Sequence, residues 1–497
     1  MADDMQNPRL SKLKRLLGIS ILLLVVLYMG LLIPDPSPPS AKYFANKSFI
    51  WNQDSLWLAL EARFLEVRKT DCNVLADSVT QSLLAIHKLL DTLESRSFLP
   101  ATHIFAELEN IMFGLAPAIG ACPSHLMDYL SLFSRLRNIV KNQSIYWDMN
   151  TAEARRTIYR LLYGGRAAVE EVMLQASPEN LPACVYGYAE PSQTPAAEIL
   201  GVTIHSGDIL VSRGGAPTSA LIARGNDYPG NFSHIALVYV DEQSERASIV
   251  ESHIERGVAV ATVDEYLNDK KLRVMVLRLR ADLPKLIEDP LLPHRAAKLS
   301  ISAAKTQHIP YDFEMDYRDH DRLFCSEVAS APYEEVGIKL WMGISSISSP
   351  GVVRWLSSFG VKYFETQEPS DLEYDPQFRV VAEWRDPETL FKDHIDNAVT
   401  DAMLEDADSG AELDYSRYML PVARMAKFYS MILNQFNIAG PVPEGMSASA
   451  ALRNQQFSED HNTLVSRVEK MVSDFRGKKR YTPPYWQLLE LARKAGG

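Results

Sequence analysis

The sequence predicts an α+β protein, with helices towards both ends of the chain and an antiparallel sheet between them. Three observations carry this. From about residue 46 to 175 apolar residues recur every three or four positions; from about 200 to 280 they gather in short β-branched runs split by turn residues; beyond that, helical spacing returns. A chain of 497 residues exceeds one ordinary core, so two or three domains are expected.

Taken in order, residues 1–15 are a short basic segment read as cytoplasmic, with Arg9, Lys12, Lys14 and Arg15 ahead of an unbroken apolar run from Leu16 to Ile33. At 1.5 Å per residue that run just spans a hydrocarbon core. No small-x-small cleavage site follows, so residues 16–33 read as an uncleaved signal anchor, with the chain beyond them outside the cytoplasm. The Pro-rich piece Pro34 to Pro39, within residues 34–45, reads as a stiff spacer. A helical domain is expected over 46–188. Val79, Leu83, Ile86, Leu90 and Leu93 step by four and three, as do Leu126, Leu130, Phe133, Leu136 and Val140, and a third such segment runs from Arg155 to Leu174. His87 and His103 fall in or beside these helices and read as surface or core residues. Ala189 to Ala197 reads as a linker.

Across 198–358 the period shortens. Asp208 to Val211, His234 to Val240, Ala247 to His253, Val258 to Thr262 and Arg273 to Leu279 read as strands. A helix over Arg295 to Gln307 follows, then the loop Ile309-Pro310-Tyr311-Asp312 and a helix entered near Cys325. Residues 359–497 are expected to be mainly helical, with Val380 to Trp384 as an edge strand. Helices are read near Leu390 to Met403, Tyr418 to Leu433 and His461 to Phe475, and a flexible loop over Gly440 to Ser449.

A formal charge of -12 argues against nucleic acid as the main partner. The four cysteines lack the paired spacing of a zinc site. Among Cys72, Cys122 and Cys184, the pairing Cys72 with Cys122 is preferred for an oxidising compartment. The sequons at Asn46, Asn142 and Asn231 read as chance matches, since a glycan on Asn231 would sit beside His234.

Cys325 stands where a helix begins, a position that favours the thiolate, and His234 opens a strand. Together they suggest a thiol nucleophile and its base. Strand alternation puts Ile249, Glu251 and His253 on one face; if that strand pairs with the one opened by His234, Glu251 can reach the imidazole and fix its tautomer. A metal site from His234, His253 and Cys325 lacks the required spacing, so no metal and no cofactor is expected.

The stretches Gly207-Asp208-Ile209-Leu210, Ser233 to Val238, Val250-Glu251 with Gly257-Val258, Tyr311-Asp312 and Phe324-Cys325-Ser326-Glu327, in that order, resemble the successive motifs of the YiiX/YebB-like permuted papain-like amidases. These are circularly permuted members of the NlpC-type cysteine peptidase superfamily, and the resemblance spans roughly residues 200 to 345. It implies a half-barrel of strands packed on the cysteine helix, with Cys325 as nucleophile, His234 as general base and Glu251 as the orienting residue. Tyr311 is a candidate for lining the substrate cleft, and Asp208 for substrate binding or for capping the first strand.

The expectation is a cysteine hydrolase of a bacterial envelope, held in the inner membrane with its catalytic domain on the periplasmic side. It would cleave an amide, in a cell-wall peptide or a lipid-linked amide or ester, through an acyl thioester. An acyltransferase using the same thiol and an idle envelope scaffold are the rival expectations. The oligomeric state stays open.

Overall fold

The structure, a computed structural model, describes residues 8–33, 54–434, 436 and 438–497. The expected spacer over 34–45, the sequon at Asn46, the start of the helical domain and the first seven residues lie outside the described residues.

The apolar run lies in α1 (Pro8–Leu31), whose side chains from Leu16 to Met29 are exposed. Five helices follow: α2 (Asp54–Val67), α3 (Cys72–Ser95), α4 (His103–Ala121), α5 (Leu126–Ser144) and α6 (Ala152–Met173). The residues whose spacing predicts helices over α3 and α5 are the ones buried in the bundle. Asp71 starts α3 by accepting the Asn73 N–H at 2.8 Å, which satisfies one orphan donor of the first turn. The Cys72–Cys122 disulfide joins the start of α3 to the end of α4, the preferred pairing. By composition α4 is long and apolar enough to cross a membrane, but more than half of it is buried, with Phe105, Leu108, Met112 and Ile119 in the bundle core.

The central region runs β1 (Cys184–Tyr186), β2 (Ala196–Ile199), β3 (Val202–His205), β4 (Ile209–Gly214), α7 (Pro217–Arg224), β5 (His234–Val240), β6 (Ala247–His253), β7 (Gly257–Thr262), α8 (Val263–Asn268), β8 (Lys271–Leu279), α9 (Pro284–Glu288), α10 (Leu292–Thr306), α11 (Glu327–Glu335), β9 (Ser345–Ser346), α12 (Pro350–Phe359), β10 (Glu365–Thr366) and β11 (Phe378–Trp384). Seven strands form one antiparallel sheet in the order β1-β11-β8-β4-β5-β6-β7. Ile209, Val211, Ile235, Leu237, Met275 and Leu277 pack with α10 and α11. Leu210, Ala236, Val238, Ile249, Val274 and Val276 pack on the other face with the β2–β3 hairpin and α8. Both faces are covered, which is why these strands read as apolar runs instead of alternating with polar residues.

Two expectations are corrected here. The strand read at Val380 to Trp384 is not an edge: β11 pairs with β8 on one side and β1 on the other. Its two charged residues are compensated inside the protein, Arg379 by Glu190 at 3.4 Å and Glu383 by arginines, so the strand can sit within the sheet. The segment read as a linker at 189–197 is packed, with Glu190 accepting the Ala281 N–H at 2.7 Å.

The chain ends in α13 (Pro387–Asp408), α14 (Leu420–Asn434), α15 (Ala448–Lys479) and α16 (Tyr485–Gly496). The loop expected to be flexible over Gly440 to Ser449 is anchored by buried Val442 and Met446, and its last two residues already belong to α15. Apolar side chains inside that loop have to be buried somewhere, and they hold it down.

Candidate active site

Cys325 lies in the turn that leads into α11, two residues before the helix starts. That turn is fixed from several sides. The Phe324 N–H donates to Glu327 Oε2 at 2.9 Å, Ser252 Oγ donates to the Leu323 carbonyl at 2.6 Å, and the Leu323 N–H donates to the Pro310 carbonyl at 3.1 Å. Gly257, at φ +70°, lets the 309–311 segment close on β7: a Cβ there would lie 2.2 Å from the Ile309 carbonyl oxygen. The Cys325 Sγ consequently sits 3.9 Å from the Ser233 carbonyl oxygen, at the start of β5.

Burial opposes the thiolate expected from the helix start. Cys325 is buried, and desolvation pushes its thiol up to about 12, against an opposing pull from the Ile235 N–H. The partial charge of a helix terminus is small beside the cost of removing a full thiolate charge from water. Burial therefore favours the protonated form of the Cys325 thiol.

His234 is the first residue of β5, and β5 pairs with β6 so that Ala236 faces Glu251. This register carries Glu251 to the imidazole: His234 Nε2 and Glu251 Oε2 are 2.8 Å apart. The other carboxylate oxygen is 3.0 Å from His253 Nε2, so one buried carboxylate sits between two histidines. Burial works to raise the Glu251 carboxyl, but the two imidazoles outweigh it and hold it well below the usual carboxylate range. Burial lowers His234 from its ordinary value more than Glu251 raises it, which favours the neutral imidazole. Glu251 engages Nε2, and among the described residues no hydrogen bond is made by Nδ1.

Among the described residues, no hydrogen bond joins the Cys325 Sγ to the His234 ring. The sulfur instead meets the backbone on either side of His234. Tyr311 borders this group; burial pushes its phenol up and the neighbouring Cys325 adds to the effect. Asp208 is not part of it. It lies at the far end of β4 from Ser212, the residue paired with His234, and is locked to Arg278 by bonds of 2.7 and 2.9 Å while accepting the His205 N–H at 2.7 Å. A buried carboxylate so fully satisfied holds the strand entry and has no free oxygen for a substrate.

Two carboxyls near Cys325 were not singled out from sequence. Glu327 is fully buried, pushed up to about 9 by desolvation, and its Oε1 has no hydrogen-bond partner. Glu368 is buried too, and burial raises it well above the ordinary value. Glu327 could have been found as an acidic residue one step beyond a Cys-Ser pair in a helix's first turn. Glu368 arrives from a distant stretch and left no local signal.

Residues 203–382 match the family described as "Permuted papain-like amidase enzyme, YaeF/YiiX, C92 family". A solved structure described as the crystal structure of metalloprotein yiiX from Escherichia coli O157:H7 is 18% identical; the likeness covers 36% of this chain and 97% of that chain, at a TM-score of 0.29. No curated protein matches the chain.

Proposed function

We propose that this protein is a membrane-anchored cysteine hydrolase of amide or ester bonds, with Cys325 as nucleophile, His234 as base and Glu251 as its orienting partner. The observation that carries this reading is the 2.8 Å Glu251–His234 bond beside a buried thiol, within an amidase-type domain. Glu251 fixes the imidazole with Nδ1 free. On substrate binding the His234 ring closes the gap to Sγ; catalytic hydrogen bonds are often long in the ligand-free state. Nδ1 takes the thiol proton as sulfur attacks the carbonyl carbon. The tetrahedral intermediate collapses, the carbonyl–N or carbonyl–O bond breaks, and the amine or alcohol leaves with that proton. Water, deprotonated by the same imidazole, then releases the carboxylic acid and restores the thiol. The Cys325 N–H, ahead of α11, is the proposed oxyanion donor. The exposed apolar face of α1 supports the anchor.

The rival reading, an idle scaffold, draws on the missing Sγ–imidazole bond and the raised thiol. One experiment separates them: the detergent-solubilised protein is treated with p-nitrophenyl octanoate, quenched in acid and mapped by mass spectrometry. The expected result is an octanoyl adduct on Cys325, with acylation about 10²–10⁴-fold slower in His234→Ala. Hydrolysis that continues unchanged in Cys325→Ala would overturn the proposal.

A further inference from the structure

Helix α14 is built the wrong way round for a helix facing water. Its exposed positions Val422, Met425, Phe428, Tyr429, Met431 and Ile432 are all apolar or aromatic, each between 41 and 68% exposed. The apolar surface continues past both ends of the helix, through Tyr418 and Met419 before it and Phe436 and Ile438 after it. Soluble proteins rarely leave a contiguous patch of this kind uncovered. Its polar residues turn inward: Lys427 Nζ donates to the Pro443 carbonyl at 3.0 Å, and Ser430 is fully buried.

What covers the patch follows from Arg424. Its guanidinium donates to the Leu31 and Ile33 carbonyls at 2.9 and 2.8 Å, the last carbonyls of the apolar run in and just after α1. Helix α14 is thus fastened to the end of the anchor. If α1 crosses the bilayer, the exposed face of α14 lies at the level where α1 emerges, the depth at which an amphipathic helix rests in a membrane interface. The chain then returns from α14 to the candidate active site. Glu444 pairs with His308 at 2.7 Å, and a Cβ at Gly445 would come within 2.4 Å of the Phe313 ring and 3.3 Å of the Tyr311 carbonyl oxygen. Phe313 packs edge to face on Tyr311 at 4.9 Å, and Tyr311 neighbours Cys325.

We infer that α14 is an in-plane membrane helix that holds the Cys325 site at the bilayer surface, and that the substrate is the acyl amide or ester of a membrane lipid instead of a cell-wall peptide. This rests on the anchor and on Cys325 as nucleophile, and the test keeps the three apart. The full chain is placed in phosphatidylethanolamine–phosphatidylglycerol vesicles with a photoreactive residue as Leu22→p-benzoylphenylalanine, Phe428→p-benzoylphenylalanine or, for reference, Tyr146→p-benzoylphenylalanine. Lipid adducts are expected at 22 and 428, with about tenfold less at 146, as the apolar burial of one aromatic side chain implies. Adducts at 22 but not at 428, or crosslinking of 428 to a second copy, overturn the docking and leave the anchor standing. Absence at 22 overturns the anchor and this inference with it.

The substrate class is read separately with N-acylphosphatidylethanolamine in the vesicles and p-nitrophenyl octanoate in solution. The double variant Met425→Ser, Phe428→Ser is expected to lose about tenfold or more on the vesicle lipid, from the lost burial of two side chains, and nothing on the soluble ester. An equal fall on both, or no fall on either, overturns the role of α14 in delivering lipid. A wild type inert towards both probes overturns the catalytic reading, whatever the crosslinks show.

Discussion

One sheet carries two buried polar clusters, and they are opposite in kind. Beside β8 and β11, Glu170, Glu383 and Asp393 meet Arg137, Arg166, Arg213, Arg273 and Arg385, with Arg273 held by Glu170 at 2.7 Å and by Asp393 at 2.6 Å. Burial alone would raise Glu383, but Arg166, Arg385, Arg137 and Arg273 outweigh it and bring the carboxyl down to about 2. At the start of β5 the balance is reversed. Burial raises Cys325 with no cation among the causes that act on it, His234 is pushed towards its neutral form, and Glu327 is pushed up to about 9 by desolvation. Buried charge matched by opposite charge ties the helical bundle and α13 to the sheet. At β5 the matching is partial: Glu251 is paired with two imidazoles, while Cys325 and Glu327 are raised by burial, and perturbed titratable groups of this kind mark candidate functional sites.

The comparison can be broken from either side. The largest effect is expected at the β5 cluster: Cys325→Ala should lower hydrolysis of p-nitrophenyl octanoate by about 10⁴-fold or more. The same variant should move unfolding stability by no more than about 1 kcal/mol, read by denaturant titration. Glu383→Ala should do the reverse. Leaving several buried arginines without their carboxylate costs about 3–5 kcal/mol, while acylation per folded molecule stays near wild type. Next comes reduction of Cys72–Cys122, expected to remove about 2–4 kcal/mol, since the bridge closes a loop of 50 residues in the unfolded chain.

Two smaller effects sharpen the site itself. Glu251→Gln should slow acylation about 10²-fold by loosening the imidazole, with little change in stability. The pH–rate profile gives the last test. His234 is lowered in the folded protein, so its base form persists at neutral pH and is lost only as pH falls below about 6.5, the unperturbed value. The acid limb should therefore have its midpoint below that pH. Glu251 is the influence that raises His234, so Glu251→Gln should carry the limb further towards acid; a shift in the other direction would sink the assignment.

Much of this site is legible before folding because it is encoded locally. The apolar run after His234 makes a strand, the alternation of Ile249, Glu251 and His253 fixes their face, and an antiparallel pairing of two neighbouring strands brings carboxylate to imidazole. Of the two roles open for Asp208, the strand-entry one is the one whose partner is seen only in the fold: Arg278, seventy residues on, holds the carboxylate. Tyr418 to Leu433 reads as a helix from its spacing, yet the side left uncovered is visible only once its neighbours are in place.

The sequence by itself determined the helices of the bundle, the strands around His234 and Glu251, and the order of the amidase-type motifs. These follow from backbone propensity and from side-chain period over a few residues. Only the tertiary structure decided that β1 and β11 join the sheet, that the Cys325 thiol is raised and not lowered, and that α14 turns an apolar face outward beside the end of α1. Each of these depends on what covers a group from far along the chain, because desolvation and ion pairing are set by the final surroundings and not by sequence neighbours.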